Sequence, residues 1–264
     1  MLIDTHCHIA DAEFDDDRET VIERALASGV QKMIVIGTGL ESSRRAIALA
    51  EKHPFLWATV GLHPHDAKDL DDALLEQLSQ LADHPKVVGL GEMGLDFYYN
   101  HSTREEQCHA LIEQIRLAER KQLPLVIHTR DAWEETFDLF KSERVQEHAE
   151  NIGAVLHCFT GDKEIAQRGI ALGFYLSFSG IMTFKKANNI QEAAASVAIN
   201  KVVLETDSPY LSPQGFRGKR NEPAHLCAIA QKLAELRGIP FESLCLSLTE
   251  NSERLFRLLS SKIG

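Results

Sequence analysis

The feature that most restricts this chain is a recurrence. Eight times a short β-branched or aliphatic run is followed by a longer amphipathic stretch: Leu2 to Thr5, Lys32 to Ile36, Leu56 to Val60, Val87 to Leu90, Leu125 to Ile127, Ala154 to Leu156, Phe174 to Phe178 and Val202 to Leu204. Runs this apolar need cover on both faces, and the stretches between them can supply it, which is the pattern of parallel βαβ units. Eight alternations within 264 residues, against roughly 250 for one α/β barrel, predict a single (β/α)8 TIM barrel over residues 1–264. One or two extra C-terminal helices are expected outside it from Phe241 onward. An open doubly wound sheet would bring a glycine-rich phosphate loop after its first strand. His6-Cys7-His8 stands there instead, and Gly37-Thr38-Gly39 is too short for a nucleotide fingerprint and reads as a tight turn.

Helix ends are also readable. Asp15 to Asp17 open a helix with Val21, Ile22, Ala25 and Leu26 on one face, and Gly29 stops it. Ser102-Thr103-Arg104-Glu105 fits a capping box, and Asp131 is placed to cap the segment of Trp133, Phe137 and Phe140. Pro223 starts the helix of Leu226, Ile229 and Leu233, which Gly238 ends.

Composition excludes several classes. A net charge of −11 repels polyanions over most of the surface, so a nucleic-acid substrate would have to be held locally. Apolar runs fall far short of the roughly 20 residues needed to span a bilayer. The first strand-like residues follow Met1 directly, without the basic and apolar regions of a secretion signal, so a cytoplasmic location is expected. Five cysteines without a C-x-x-C pair read as reduced thiols, with Cys7 and Cys158 buried, inert and facing away from the neighbouring histidines.

The chemistry lies at the ends of the runs. His6 and His8 follow the first strand at spacing i, i+2, which puts both imidazoles on one face of extended backbone, where they can share a cation. Glu92 follows the fourth run, His128 the fifth, His157 the sixth and Asp207 the eighth. In a closed barrel these all reach the C-terminal rim. Singly, each could be a hydrogen-bonded core histidine or an ion-paired carboxylate. Together, without a metal, they would carry a heavy cost of desolvation and repulsion. Four histidines and two carboxylates exceed the three protein ligands of one catalytic zinc and suit two divalent ions, Mg, Mn or Zn. His6, His8 and Asp207 are assigned to one ion, His128 and His157 to the other, and Glu92 to both. Asp207 doubles as the base that takes the proton of a metal-activated water, and Glu205, of the same strand parity, assists it or holds a ligand in place.

Substrate contacts are expected from His63 and His65, whose intervening Pro64 shapes the loop, and from Arg130, which could instead pair with Asp131. Arg217, Lys219 and Arg220 with Asn221 form one basic stretch directly after the Asp207 strand. Phosphate binding by Arg220 and Asn221 is the expectation there.

The ordered motifs I-D-T-H-C-H, V-G-L-H-P-H, G-E-M-G-L-D-F-Y, V-I-H-T-R-D, L-H-C-F-T-G, F-Y-L-S-F-S-G-I-M-T-F and V-V-L-E-T-D-S-P-Y-L, with R-G-K-R-N-E-P and a final N-S-E-R-L-F, cover residue 2 to about residue 257. They resemble the TatD family of metal-dependent deoxyribonucleases, within the amidohydrolase-like barrel superfamily. The resemblance implies the same barrel, two divalent metals on His6, His8, Glu92, His128, His157 and Asp207, and hydrolysis of DNA phosphodiesters, with 3′-5′ exonuclease action on single strands in some members. The partner would be DNA or a smaller phosphodiester held at the barrel mouth, with no membrane; the oligomeric state stays open and a monomer is compatible. One alternative is a metal-dependent hydrolase of another small amide, ester or phosphoester. Superfamily members of that kind often use a modified lysine as the bridge where this chain offers Glu92. The other is a non-catalytic metal or nucleic-acid binding scaffold, which would bind ions without turnover.

Overall fold

The structure is a computed structural model that describes residues 1–258. Eight strands, β1 (Leu2–Cys7), β2 (Val30–Val35), β3 (Leu56–Val60), β4 (Val87–Asp96), β5 (Leu125–Arg130), β6 (Ala154–Leu156), β7 (Tyr175–Phe178) and β8 (Val202–Leu204), pair in sequence order, with every pair parallel. The circle closes through bonds just beyond β8: the Asp207 N–H donates to the His6 carbonyl at 2.9 Å and the His8 N–H to the Ser208 carbonyl at 2.8 Å. This is the TIM barrel that the eight alternations predict.

Helices α1 (Arg18–Ala27), α2 (Leu40–Lys52), α3 (Asp72–Ala82), α4 (Arg104–Lys121), α5 (Trp133–Ser142), α6 (Val145–Asn151), α7 (Lys163–Ala171), α8 (Asn188–Ser196) and α9 (Leu226–Arg237) form the outer ring, and α10 (Phe241–Leu255) follows. The larger apolar cluster, with Met33, Val35, Leu90, Ile127 and Leu156, lies between strands and helices. A second cluster joins Ile3, Ile34, Val126, Val155 and Val203 from five strands with Leu255 and Phe256 from the end of α10. Side chains of strands that are not neighbours can meet this way only inside the barrel. The lumen is therefore packed, and its N-terminal end is stoppered by the chain's own C-terminal segment. Of the one or two extra helices expected, one, α10, is present among the described residues. It does not lie wholly outside the barrel, because Phe256 offers a large apolar ring to an otherwise open end.

Local signals shift by a residue or two. The capping box forms on Thr103 and Glu106, not on Ser102 and Glu105. The Ser102 hydroxyl instead donates to the His65 carbonyl at 2.8 Å, tying α4 to the loop after β3. Asp131 makes no cap for α5; it adopts positive φ and Ala132 occupies the N-cap position. Asp17 is the N-cap of α1 without a side-chain cap bond, because its carboxylate pairs with Arg220. Pro223 begins a short 3-10 turn, and α9 starts only at Leu226.

Candidate metal centre at the barrel mouth

Strand parity carries the ligands inward. In β1 the pairing slips between Asp4 and Cys7. Ile3 and then His6 can both face the lumen across such a bulge, while Cys7 joins the outer apolar cluster and its thiol donates to the Ile34 carbonyl at 3.5 Å. A second slip between Leu90 and Met93 brings Glu92 inward. That bend needs glycine: Gly91 has positive φ, and a side chain there would run into the carbonyl of Val126 on β5. Val126 and His128 share one face of β5, Val155 and His157 one face of β6 and its extension, and Val203, Glu205 and Asp207 continue one face of β8. Apolar members sit low in the barrel and ionisable ones at its C-terminal mouth.

At that mouth Glu92 is the hub. Its Oε2 lies 3.3 Å from His6 Nε2 and 3.9 Å from His8 Nε2. Its Oε1 lies 3.0 Å from His128 Nδ1, 3.1 Å from His157 Nε2 and 3.4 Å from His63 Nε2. Asp207 Oδ1 stands with the first group, 3.6 Å from His6 and 3.3 Å from His8. The two oxygens of one carboxylate thus face two separate sets of donors. All these groups are largely buried, Glu92 only 4% exposed and His6 fully enclosed.

Electrostatics keep the two carboxylates and His6 in ligand form, while those same carboxylates, against burial, push His8, His128 and His157 toward the protonated ring. Burial alone would push the Glu92 carboxyl up, but His157 and His63 beside it outweigh this and hold it well below the usual carboxylate range. Asp207 is likewise held down, against burial, by its contact with His8 and by His157 and His6. Burial and the neighbouring His157 drive His6 toward the neutral imidazole. The donor chemistry suits a divalent cation. His6 Nε2 and His8 Nε2 approach to 3.2 Å beside two ionised carboxylates, close enough for both nitrogens to reach one cation.

Two of the histidines are oriented by carboxylates behind them. His157 Nδ1 meets Glu205 Oε1 at 3.1 Å, and the same oxygen accepts the Cys158 N–H at 2.6 Å. His128 Nε2 meets Asp96 Oδ2 at 3.1 Å, and His65 Nε2 reaches that oxygen at 3.1 Å as well. Such pairs fix the tautomer and rotation of a ligating imidazole. Of the two roles open to Glu205, its contacts are those of a group that holds His157 in place: it touches that ring and does not line the cavity. Asp96 was not singled out from sequence, although its even spacing from Glu92 along β4 puts it on the same face. Asp4 was missed too: its carboxylate accepts from the Thr206 hydroxyl at 2.6 Å and from the Thr206 N–H at 2.9 Å, stitching β1 to the segment after β8. Burial pushes its pKa up to about 7.

His63 differs from the other imidazoles. Its Nδ1 accepts the His65 backbone N–H at 3.2 Å, which leaves Nε2 as the ring nitrogen that can present a proton to Glu92 and the cavity. His63, His65 and Arg130 all line a mouth cavity of about 980 Å³. Arg130 does not pair with Asp131; its guanidinium lies over the rings of Tyr98 and Tyr99, 4.0 and 4.8 Å from their centroids. Tyr99 and Tyr210, each 50% exposed, stand at the same mouth.

Two substrate expectations fail. Arg220 turns away from the cavity: it pairs with Asp17 at 2.6 Å, bonds the Glu13 carbonyl and covers the Phe14 ring, because the segment leading into α1 brings carboxylate and aromatic face to it. Asn221 is fully buried, donating to the Thr206 and Tyr210 carbonyls at 2.8 and 2.6 Å and accepting from the Glu222 N–H at 3.0 Å. It braces the loop that carries Asp207 and has no free edge for a phosphate. Cys158 departs as well. A positive φ turns its thiol into the cavity, beside the Ser179 hydroxyl at 3.3 Å, and burial pushes the thiol pKa up, so it is protonated and unreactive there.

With this geometry in view, comparison with known proteins is decisive. The family model described as TatD related DNase matches residues 3–257. The chain belongs to the TatD family. It is accordingly a hydrolase acting on ester bonds. It is 41% identical to the uncharacterised metal-dependent hydrolase YabD of Bacillus subtilis, over 98% of this chain and 100% of YabD. It is 36% identical to the 3′-5′ ssDNA/RNA exonuclease TatD of Escherichia fergusonii, over 97% and 98% of the two chains. The crystal structure of the TatD homologue YjjV from Escherichia coli superposes with a TM-score of 0.90 at 34% identity, covering 97% of this chain and 98% of that one. Among the described residues no helix is long and apolar enough to cross a membrane.

Proposed function

We propose that this TatD family member hydrolyses phosphodiesters with two divalent cations, and that its substrate is the 3′ end of a single DNA strand. The observation that carries the reading is the division of Glu92: His6, His8 and Asp207 face one of its oxygens, His128 and His157 the other. Those six residues would hold the ions. Bound there, the cations would supply positive charge that offsets charge developing on the phosphate and would make water easier to deprotonate.

The chain's own residues do the rest. Asp207, held ionised and open to the cavity, takes the proton of the attacking water, while the phosphorus–oxygen bond to the leaving sugar oxygen breaks opposite the attack and that oxygen takes up a proton from solvent. His63 Nε2–H donates to a non-bridging phosphate oxygen. Arg130, fixed against Tyr98 and Tyr99, neutralises the phosphate without having to be ordered during reaction. Glu205 and Asp96 keep His157 and His128 in register. The Escherichia fergusonii relative, a 3′-5′ ssDNA/RNA exonuclease, supports a nucleic-acid end as substrate.

The test is digestion of end-labelled single and double strands, with a small phosphodiester and a cyclic amide alongside, across Mg, Mn and Zn. The wild-type protein shortens single strands from the 3′ end, and Glu92→Ala loses on the order of 10³-fold or more of the rate. An unchanged Glu92→Ala rate removes the proposed centre, and amide turnover without strand cleavage replaces the substrate class.

A further inference from the structure

Building on the nuclease reading, the geometry points to a second, phosphate-binding groove beside the mouth, in which Lys185, Lys186 and Arg217 hold the backbone of a single strand at nucleotides away from the scissile linkage. The groove has a volume of about 430 Å³ and is walled by these three cations with Phe184, Ala187 and Ile190. Ile181 lines both this groove and the mouth cavity, so the two adjoin across that residue.

Its floor is built, not draped. The 3-10 turn Gly180–Thr183 follows β7, and the Thr183 hydroxyl donates to the Gly180 carbonyl and accepts the Gln214 N–H, each at 2.7 Å. The Gln191 amide donates to the carbonyls of Met182 and Phe184, both at 3.0 Å. Gly180 packs so closely on the Leu211 carbonyl that no side chain fits. The loops after β7 and β8 are thereby locked together, and Arg217 is held over the Phe184 ring at 4.4 Å.

Charge identifies the occupant. In a chain of net charge −11, cations that face carboxylates pair with them, as Arg220 does with Asp17 and Arg24 with Glu222; what sets this groove apart is that three cations share one wall that holds no acidic residue. Among the described residues, Lys185, Lys186 and Arg217 have no carboxylate within ion-pair distance, and no acidic residue walls the groove. Three like charges converging without a partner repel one another, a cost that an anionic ligand reverses. A strand whose end reaches the metal centre must lay its following phosphates on the rim, and this is the part of the rim that attracts them. The apolar wall of Phe184 and Ile190 suits sugars and base edges, which gives sequence-tolerant binding.

The experiment measures binding of a labelled oligothymidylate of about 20 nucleotides, longer than the roughly 4–16 covered by one single-strand binding fold, to Glu92→Gln protein by fluorescence anisotropy across a salt series. In that background Lys185→Ala/Lys186→Ala/Arg217→Ala weakens binding about tenfold or more. It also flattens the log–log salt slope by about 2, at roughly 0.7 for each phosphate that is no longer neutralised. A charge-matched Lys52→Ala/Arg120→Ala/Lys121→Ala control at the opposite end of the barrel changes neither. With Glu92 restored, the groove variant hydrolyses a small phosphodiester at the parental rate and raises KM only for long strands. Equal affinity and slope in the groove variant, equal loss on the small diester, or no binding by the parental Glu92→Gln protein overturns the groove. Wild-type protein that binds strands through these residues yet leaves them uncut refutes the nuclease reading and keeps the groove.

Discussion

The two ends of one lumen obey opposite rules. At the N-terminal end, Ile3, Ile34, Val126, Val155 and Val203 close around Phe256, and everything there gains by leaving water. At the C-terminal end β1, β5, β6 and β8, continued by a few residues, join β3 and β4 in delivering five imidazoles and two carboxylates to one buried site, and everything there loses by leaving water unless a cation joins it. The floor makes the barrel stable, and the mouth spends part of that stability on chemistry. Substitutions at the two ends should therefore separate stability from activity.

The largest effect is expected at the floor. Phe256→Ala empties the stopper and lowers unfolding free energy by about 3–5 kcal/mol, read by urea denaturation. Turnover per folded molecule stays near the wild-type value because the mouth is untouched; a fall in turnover without loss of stability would erase the distinction between the ends. The next effect lies at the mouth. Glu205→Gln removes the charge behind His157 while keeping the shape, and metal affinity drops roughly 10–100-fold, read by ion titration, with a melting curve close to wild type in saturating metal. Rate loss that excess metal cannot restore would make Glu205 a direct participant instead.

The smallest effect is a pH dependence at the floor end. His148 on α6 donates to the Leu123 carbonyl at 3.0 Å, and burial holds its pKa below the ordinary 6.5. The folded state resists its protonation, so its contribution is complete above that ordinary value and is lost as pH falls through the lowered folded one. His148→Gln should flatten the stability profile between neutral and mildly acidic pH relative to wild type. Parallel profiles would mean that His148 does not titrate on unfolding.

The strand ends were legible because side-chain alternation is a rule of extended backbone: His6 with His8, and Glu205 with Asp207, can be put on one face by counting in twos. Counting stops working where the backbone leaves that geometry. The bulge in β1, the bend at Gly91 and the left-handed turn at Cys158 each reset the parity, which is why Cys158 faces the cavity. Long-range partners are a second blind spot. Nothing near Arg220 or Asn221 in sequence tells that Asp17 claims the one and the Thr206 and Tyr210 carbonyls claim the other. Phe256 is similar: its apolar character is plain, but its seat exists only once eight strands have closed around it.

The claim on which the rest depends is that Glu92 divides two ion seats. Anomalous diffraction from crystals grown with manganese tests it directly. The account predicts two peaks per chain, one between Glu92 Oε2 and the set of His6, His8 and Asp207, the other between Oε1 and the pair His128 and His157. A single peak, or peaks that leave Glu92 outside their coordination, would contradict it.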